Sequence, residues 1–280
     1  MSDSETQDKL YIGSGTWQKE GWLNHHCSKL HFYNAAAKYF LGKSTGEFEV
    51  DGDELFSFDL DHDLCDSECF PIRDGSLSVV YSSHTIEHIR NCDAAFVFQD
   101  VYRMLKNSGV FRVTCPDINL LFDRLITDRE KLGDITLFEV PTSYDEFIWA
   151  TFTYFSAEFR IRDTYLFDSI PDGHSVYSQY LSETKVDETE FRLLLDTYGR
   201  FGTFENLRHR SELLFEKYRY HITTMHVNWW TVEKVCHYLF EAGFSKVNIV
   251  SQNKSSLKCF ESKDFDYCIP HVSLFVEAIK

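Results

Sequence analysis

Short apolar runs alternate with stretches of helical period over the first 120 residues. Lys9–Ile12 (KLYI) reads as a short buried strand ending at Gly13, and Trp22–His26 as a second. Leu30–Phe40 spaces Phe32, Ala36, Tyr39 and Phe40 as a helix does and stops at Gly42, a glycine exit. Leu55–Leu60 is strand-like, and Leu77–Ser82 (LSVVYS) is rich in the β-branched and aromatic residues that strands favour. Residues 91–109 (NCDAAFVFQDVYRMLKNSG) predict a helix. Asn91 or Asp93 is its cap, Ala94, Phe98, Val101 and Leu105 are its buried stripe, and Asn107–Gly109 is its stop. GVFRVTCPD follows as a strand closed by Pro116. Strands that alternate with helices pair in parallel and need helices on both faces, so the class is α/β.

From Ile118 to Met225 the alternation gives way to a mostly helical pattern, with aromatics concentrated in FIWATFTYFSAEF. It resumes at TVEKVCHYLFEAGF, where Thr231 suits an N-cap, Val235, Leu239 and Ala242 share a face, and Gly243 ends the helix. Val247–Val250 and Ser273–Ala278 supply two last strands. The reading is one Rossmann-like sheet split by a helical insertion of roughly a hundred residues, far beyond an ordinary connection. Residues 1–117 form its cofactor-binding half. Residues 118–225 form a lid, substrate wall or oligomer contact, and 226–280 complete the sheet.

Composition narrows the function more than the fold. The 280 residues are 43% hydrophobic and 26% charged with only 13 Gly and 5 Pro, which excludes collagen-like and broadly disordered chains. The net charge of −16, with no Lys/Arg-rich run, disfavours nucleic acid as a partner. The polar, acidic start lacks the regions of a secretory signal, and no apolar run approaches the roughly 20 residues of a membrane span, so a cytoplasmic location is expected. Eight scattered cysteines without a CxxC pair read as reduced thiols. His25, His26 and Cys27 are metal ligands by type, but alternation along a strand keeps the three from converging, and no metal is expected.

The chemistry starts at Gly13-Ser14-Gly15, at the carboxyl end of the first strand, where open α/β sheets bind ligands. Glycine admits positive φ and close approach. A dinucleotide fingerprint would need a third glycine where Gln18 stands, and a helix for which there is no room before Trp22.

The opening LYIGSGTWQKEGWLNHH is similar to the LxxGxGxxxxxGWxNxD of a bacterial and viral subgroup of class I S-adenosylmethionine-dependent methyltransferases, often found among glycan-assembly enzymes. The likeness continues through Asp63-Leu64, Phe70-Pro71, Gly75-Ser76, the SSHTIEH of residues 82–88, the Arg103–Gly109 element and Pro116-Asp117, and again over His226–Phe244. It covers the first 120 residues and the last 55, and leaves the middle uncovered.

This resemblance implies a methyltransferase sheet, mostly parallel with an antiparallel last strand, and S-adenosyl-L-methionine as cofactor. It implies that Gly13, Ser14 and Gly15 border the methionine part and ribose, with backbone N–H groups receiving the carboxylate. Asp63 and the Leu64 backbone would read the adenine, and Ser82 and His84 would face the sulfonium and the substrate. The acid that usually holds both ribose hydroxyls falls on His26, which can accept only one hydrogen bond. Asn24 and His25 are its candidate substitutes.

Other readings stay open for several residues. Asp63 also suits a turn cap, Glu87 and His88 suit structural as well as catalytic roles, and the Trp149, Phe152, Phe155, Phe159 stripe suits core, subunit contact in a homo-oligomer, or a sugar platform.

Methyl transfer from a sulfonium is an in-line displacement, and an alcohol acceptor needs a base. His84 leads because imidazole titrates near operating pH. Asp117 and His226 are rivals. No NPPY-like signature of amino-group methylation of bases follows the fourth strand, and the subgroup implies a sugar, glycan or nucleotide-sugar hydroxyl. No compact carboxylate cluster compels magnesium. The alternatives are a small-molecule or lipid methyltransferase, and a non-catalytic scaffold that kept the fold.

Overall fold

The computed structural model describes residues 7–15, 18–27, 29, 58–127, 136–137, 140–141, 183, 188–219, 226–266, 270 and 273–280. The helix expected over Leu30–Phe40, the start of the strand expected over Leu55–Leu60, and the aromatic stripe from Trp149 to Phe159 lie outside these residues.

Seven strands make one sheet: β1 (Lys9–Ile12), β2 (Leu23–His26), β3 (Leu60–Asp61), β4 (Leu77–Ser83), β5 (Leu105–Pro116), β8 (Lys246–Ile249) and β9 (Ser273–Ile279). The pairs β6 (Thr136–Leu137) and β7 (Val140–Pro141) form a separate antiparallel hairpin. The sheet order is β3-β2-β1-β4-β5-β9-β8. The β1–β2, β1–β4, β2–β3 and β4–β5 pairs are parallel, while β9 runs antiparallel to both β5 and β8. The chain therefore builds a Rossmann-like sheet whose order reverses between β1 and β4, with the antiparallel last strand anticipated from the resemblance.

Both faces of the central strands are buried, which is why they read as continuous apolar runs. Leu10, Ile12 and Val80 join Phe98, Val101, Phe111 and Trp230 on one face. Tyr11, Val79 and Tyr81 meet Trp22, Phe260 and Phe265 on the other. On that second face Arg112 is wholly buried, ion-paired with Asp266 and, at 2.7 Å, with Glu277, its partner in register across β5–β9. Ser256 donates to Glu277 through both its N–H and its hydroxyl, so loop 251–266 is tied to the sheet by buried charge.

Helix α1 (Asn91–Met104) buries Ala94, Val97, Phe98 and Val101, as its spacing demands, and the Asp93 carboxylate accepts from the Arg90 N–H that starts it. It stops five residues before the expected Gly109. The Gly75 and Ser76 N–H groups take the carbonyls of Arg103 and Met104, Ser108 N–H donates to the Lys280 carbonyl, and Lys280 N–H donates to that of Gly109. Pairing with the distant chain end thus outcompetes one more helical turn, and Leu105 keeps its buried place as the first residue of β5.

α2 (Ile118–Thr127) follows β5, and α3 (Glu188–Tyr218) bends at Gly199, whose φ of 67° is non-helical. At α4 (Val232–Glu241), Thr231 caps as expected by accepting from Lys234 N–H at 3.2 Å. Gly243, at φ 107°, ends the helix where a Cβ would stand 3.1 Å from the Tyr102 ring.

Two compact units emerge: Met1–Ser28, Gly52–Asp117 and Trp230–Lys280 in one, Lys29–Asp51 and Ile118–Trp229 in the other. Within the second, Arg200 pairs with Asp123, bonds Asn119 at 3.2 Å and lies over the Phe122 ring, while Phe201 and Phe204 meet Trp229. Apart from the hairpin, the described part of the expected insertion is helical. No helix among the described residues is long and apolar enough to cross a membrane.

Candidate active site at the carboxyl edge of the sheet

Because β1 to β5 run parallel, Gly13, His26, Asp63, His84 and Asp117 all fall at or just beyond strand ends on one edge. At the β1 exit Gly13 has φ 69° and Gly15 φ 50°. A Cβ on Gly13 would lie 2.3 Å from the Thr85 hydroxyl oxygen and 2.6 Å from its methyl, so close packing against Thr85 demands glycine there.

The Gly13 N–H donates to His25 Nδ1 at 3.0 Å, and the buried Ser14 donates its N–H and its hydroxyl to the His25 carbonyl at 2.9 and 3.1 Å. With Nδ1 accepting, His25 carries its hydrogen on Nε2 and donates to the His62 carbonyl at 2.8 Å. Burial pushes its pKa down to about 3, His62 and His26 adding to that, while the bond to the His62 carbonyl opposes it. The neutral ring is thus a strut between the exits of β1 and β3, with no lone pair left for a metal.

The Gly13 and Ser14 N–H groups are likewise committed, so neither meets the expectation of receiving a ligand carboxylate. His25 and Asn24, the candidate substitutes for the ribose acid, are both bonded within the protein. The Asn24 side chain accepts from Lys19 N–H and donates to the Lys19 and Trp22 carbonyls, and its own N–H is held by Asp59.

His26 is buried with its ring 4.5 Å from that of Phe58. Burial lowers its pKa to about 4 against the pull of Asp61, its register partner on β3. Asp63 accepts from Cys65 N–H at 3.0 Å through Oδ1 and from Asp66 N–H through its carbonyl. It therefore shapes the turn after β3, whatever else it binds. Leu64 packs into the core beside Phe70.

At the β4 exit the Ser82 hydroxyl is buried with no hydrogen-bond partner among the described residues, which costs about 1–3 kcal/mol while it stays unmet. His84 adopts φ 48°, a region that non-glycine residues enter only when the surroundings hold them there. Its N–H donates to the Thr114 carbonyl at 2.9 Å. Its ring lies between two groups, with Nε2 2.9 Å from the Ser273 hydroxyl and Nδ1 3.2 Å from Oε1 of the fully buried Glu87.

Glu87 and His88 belong to a single 3₁₀ turn, Ile86–His88, rather than to the helix that begins at Asn91. The neighbouring Cys115 thiol is pushed well up by burial, then by Glu87 and Asp117. Asp117 bridges to Trp230 beyond β5. His226 is buried and belongs to the second unit. The seven described cysteines form no disulfide.

Sequence reasoning missed the roles of Ser273 and His25. Ser273 opens an apolar strand and carries no motif, and only β9 running antiparallel to β5, opposite Pro116, brings its hydroxyl to this edge.

Residues 10–113 match the family model described as a methyltransferase domain, a span that contains every expected cofactor-edge residue and His84. Among solved structures, the chain is similar to a possible exported protein of Bordetella parapertussis (10% identity, TM-score 0.36, 97% of this chain and 61% of that one). It is also similar to a Haemonchus contortus phosphoethanolamine N-methyltransferase 2 (12%, 0.38, 97% and 48%) and a Mesorhizobium loti S-adenosylmethionine-dependent methyltransferase (12%, 0.37, 97% and 90%). The chain spans less than two thirds of the length of the first two, and at these TM-scores nothing about activity follows from any of the three. No curated protein matches the sequence. Strand order and pairing make a Rossmann-like sheet with an antiparallel last strand, and residues 10–113 are similar to a methyltransferase domain.

Proposed function

We propose that the chain is an S-adenosylmethionine-dependent methyltransferase that methylates a hydroxyl group, with a carbohydrate (a glycan or a nucleotide sugar) as acceptor. One observation carries the hydroxyl assignment: the imidazole of His84, at the carboxyl end of β4, already holds a hydroxyl at 2.9 Å, that of Ser273. A base within hydrogen-bond reach of an alcohol is what O-methylation needs. The sugar assignment rests on the resemblance of residues 10–27 and 82–88 to the glycan-associated subgroup.

The cofactor fits this edge in part. The buried, unmet Ser82 hydroxyl, in register with Ile12 just before Gly13, is the kind of group a bound nucleoside would satisfy. Gly15, Ser82, Asp63 and the Leu64 backbone would hold it, with His26 and Asp61 beside the ribose. When bound, the cofactor supplies an electrophilic methyl group. The protein's own work is to seat the acceptor, exclude water from the buried edge and receive the proton at His84 Nε2. Asp117 remains the rival base from the neighbouring strand.

A second reading, a scaffold that kept the fold, is favoured by the commitment of the Gly13 and Ser14 N–H groups to His25 and by imidazole where a ribose-holding carboxylate is usual. A screen of hydroxylated acceptors, including nucleotide sugars and deoxysugar oligosaccharides, with mass detection of one added methyl, separates the two. Once an acceptor is found, His84→Ala should lower kcat by about 10²–10⁴-fold while sparing cofactor affinity. Near-normal turnover would move the base to Asp117.

A further inference from the structure

The contacts around His84 bear on Glu87, a residue whose sequence context suits structural and catalytic roles alike. Glu87 is fully buried and its Oε1 lies 3.2 Å from His84 Nδ1, with the ring of His88 a further 3.9 Å neighbour. On the other side of the imidazole, Nε2 meets the Ser273 hydroxyl at the start of β9.

We propose that Glu87 is a positioning residue that holds His84 as the Nδ1–H tautomer, so that the bare Nε2 faces the hydroxyl seat now filled by Ser273. Only the identity of what enters that seat rests on the methyltransferase reading. The logic is one of matching donors to acceptors. The 3.2 Å approach is an ion-pair contact rather than an aligned hydrogen bond; with Glu87 taken as ionised, its oxygen only accepts, so the facing ring nitrogen carries the hydrogen and the other nitrogen is left to accept from a hydroxyl. The opposite tautomer would set two acceptors against each other at 3.2 Å in a buried site, where an unmet polar contact is most costly.

The backbone supports a purpose for this arrangement. His84 holds φ 48°, a conformation costing on the order of 1–3 kcal/mol, and in it the ring spans the gap between the 3₁₀ turn and β9. The groups that bear on the pair are His88 from the same turn, Cys115 from the end of β5, whose thiol Glu87 pushes up, and Ser273 from β9.

In the proposed reaction an acceptor hydroxyl takes the place of the Ser273 hydroxyl at Nε2. Its oxygen forms the new bond to the methyl carbon as the carbon–sulfur bond breaks. The electron pair leaves on sulfur, and the acceptor's proton ends on Nε2, where Glu87 faces the resulting imidazolium.

The test reads the tautomer directly, without substrate, in the full chain labelled with ¹⁵N-histidine. Long-range ¹H–¹⁵N correlation spectra, with His84 assigned by its loss in His84→Ala, should show Nδ1–H in the wild type and in Ser273→Ala. Glu87→Gln, whose amide can also donate, should shift the ring toward Nε2–H. An Nε2–H ring in the wild type, loss of Nδ1–H in Ser273→Ala, or an unchanged ring in Glu87→Gln each overturns the proposal. If Glu87→Gln does not fold, the wild-type and Ser273→Ala spectra still decide it. With an acceptor in hand, Glu87→Gln should lower kcat at least tenfold with cofactor affinity unchanged, and Glu87→Asp should recover part of it. Failure of the chain to bind cofactor would refute the methyltransferase reading and leave the spectra standing, so the two failures are distinct.

Discussion

A single buried imidazole, His25, organises the β1 exit. It accepts from Gly13, donates to His62, and through its carbonyl holds Ser14. Its folded pKa of about 3, and that of His26 at about 4, lie below the ordinary 6.5 because burial disfavours the charged ring. The unfolded chain therefore takes up these protons first as pH falls. Stability from the two rings is complete above about pH 6.5 and is lost below it, on the order of 1 kcal/mol per pH unit per histidine. Urea midpoints at pH 7, 5.5 and 4.5 should fall together, less steeply in His25→Gln; parallel slopes would contradict the assignment. Gly13→Ala should cost about 1–3 kcal/mol, since it adds a Cβ at positive φ against Thr85, with part recovered by Thr85→Ala. Equilibrium denaturation of the single and double variants checks this. The glycine turn was legible from two glycines after an apolar run. That one packs on Thr85 and gives its N–H to a histidine twelve residues on was not, because both partners arrive through the sheet.

Among elements, those set by local pattern are where the sequence placed them. The Thr231 cap, the Gly243 exit and the buried stripe of α1 follow from spacing and side-chain chemistry alone. The end of α1 does not, because the competitor for residues 105–109 is Lys280, at the far end of the chain. The same distance hides the Arg112, Asp266 and Glu277 cluster, which no short motif announces. Burial works against the charge on Arg112, and Asp266 and Glu277 together more than offset it, so the guanidinium stays charged. Arg112→Met would leave two carboxylates buried without their cation and should destabilise the protein by about 3–5 kcal/mol. A loss under 1 kcal/mol in urea denaturation would show that water or another cation replaces it.

For the whole molecule, alternation of strands and helices sufficed to give an α/β sheet, and the ordered motif likeness added the antiparallel last strand that strand order and pairing display. The candidate site was legible where residues follow strand ends, as His84 and Asp117 do, and illegible where β9 contributes Ser273 from 189 residues away. The acidity of the chain, at −16, suits a small or neutral acceptor better than a polyanion.

The proposed methyl transfer at this edge depends on its binding a sulfonium nucleoside. The most direct measurement is calorimetric titration of the full chain with S-adenosyl-L-methionine, beside Asp63→Ala. Saturable binding at one site per chain, weakened at least tenfold in Asp63→Ala with the fold intact, is the predicted result; no heat of binding to the folded wild type would contradict the account.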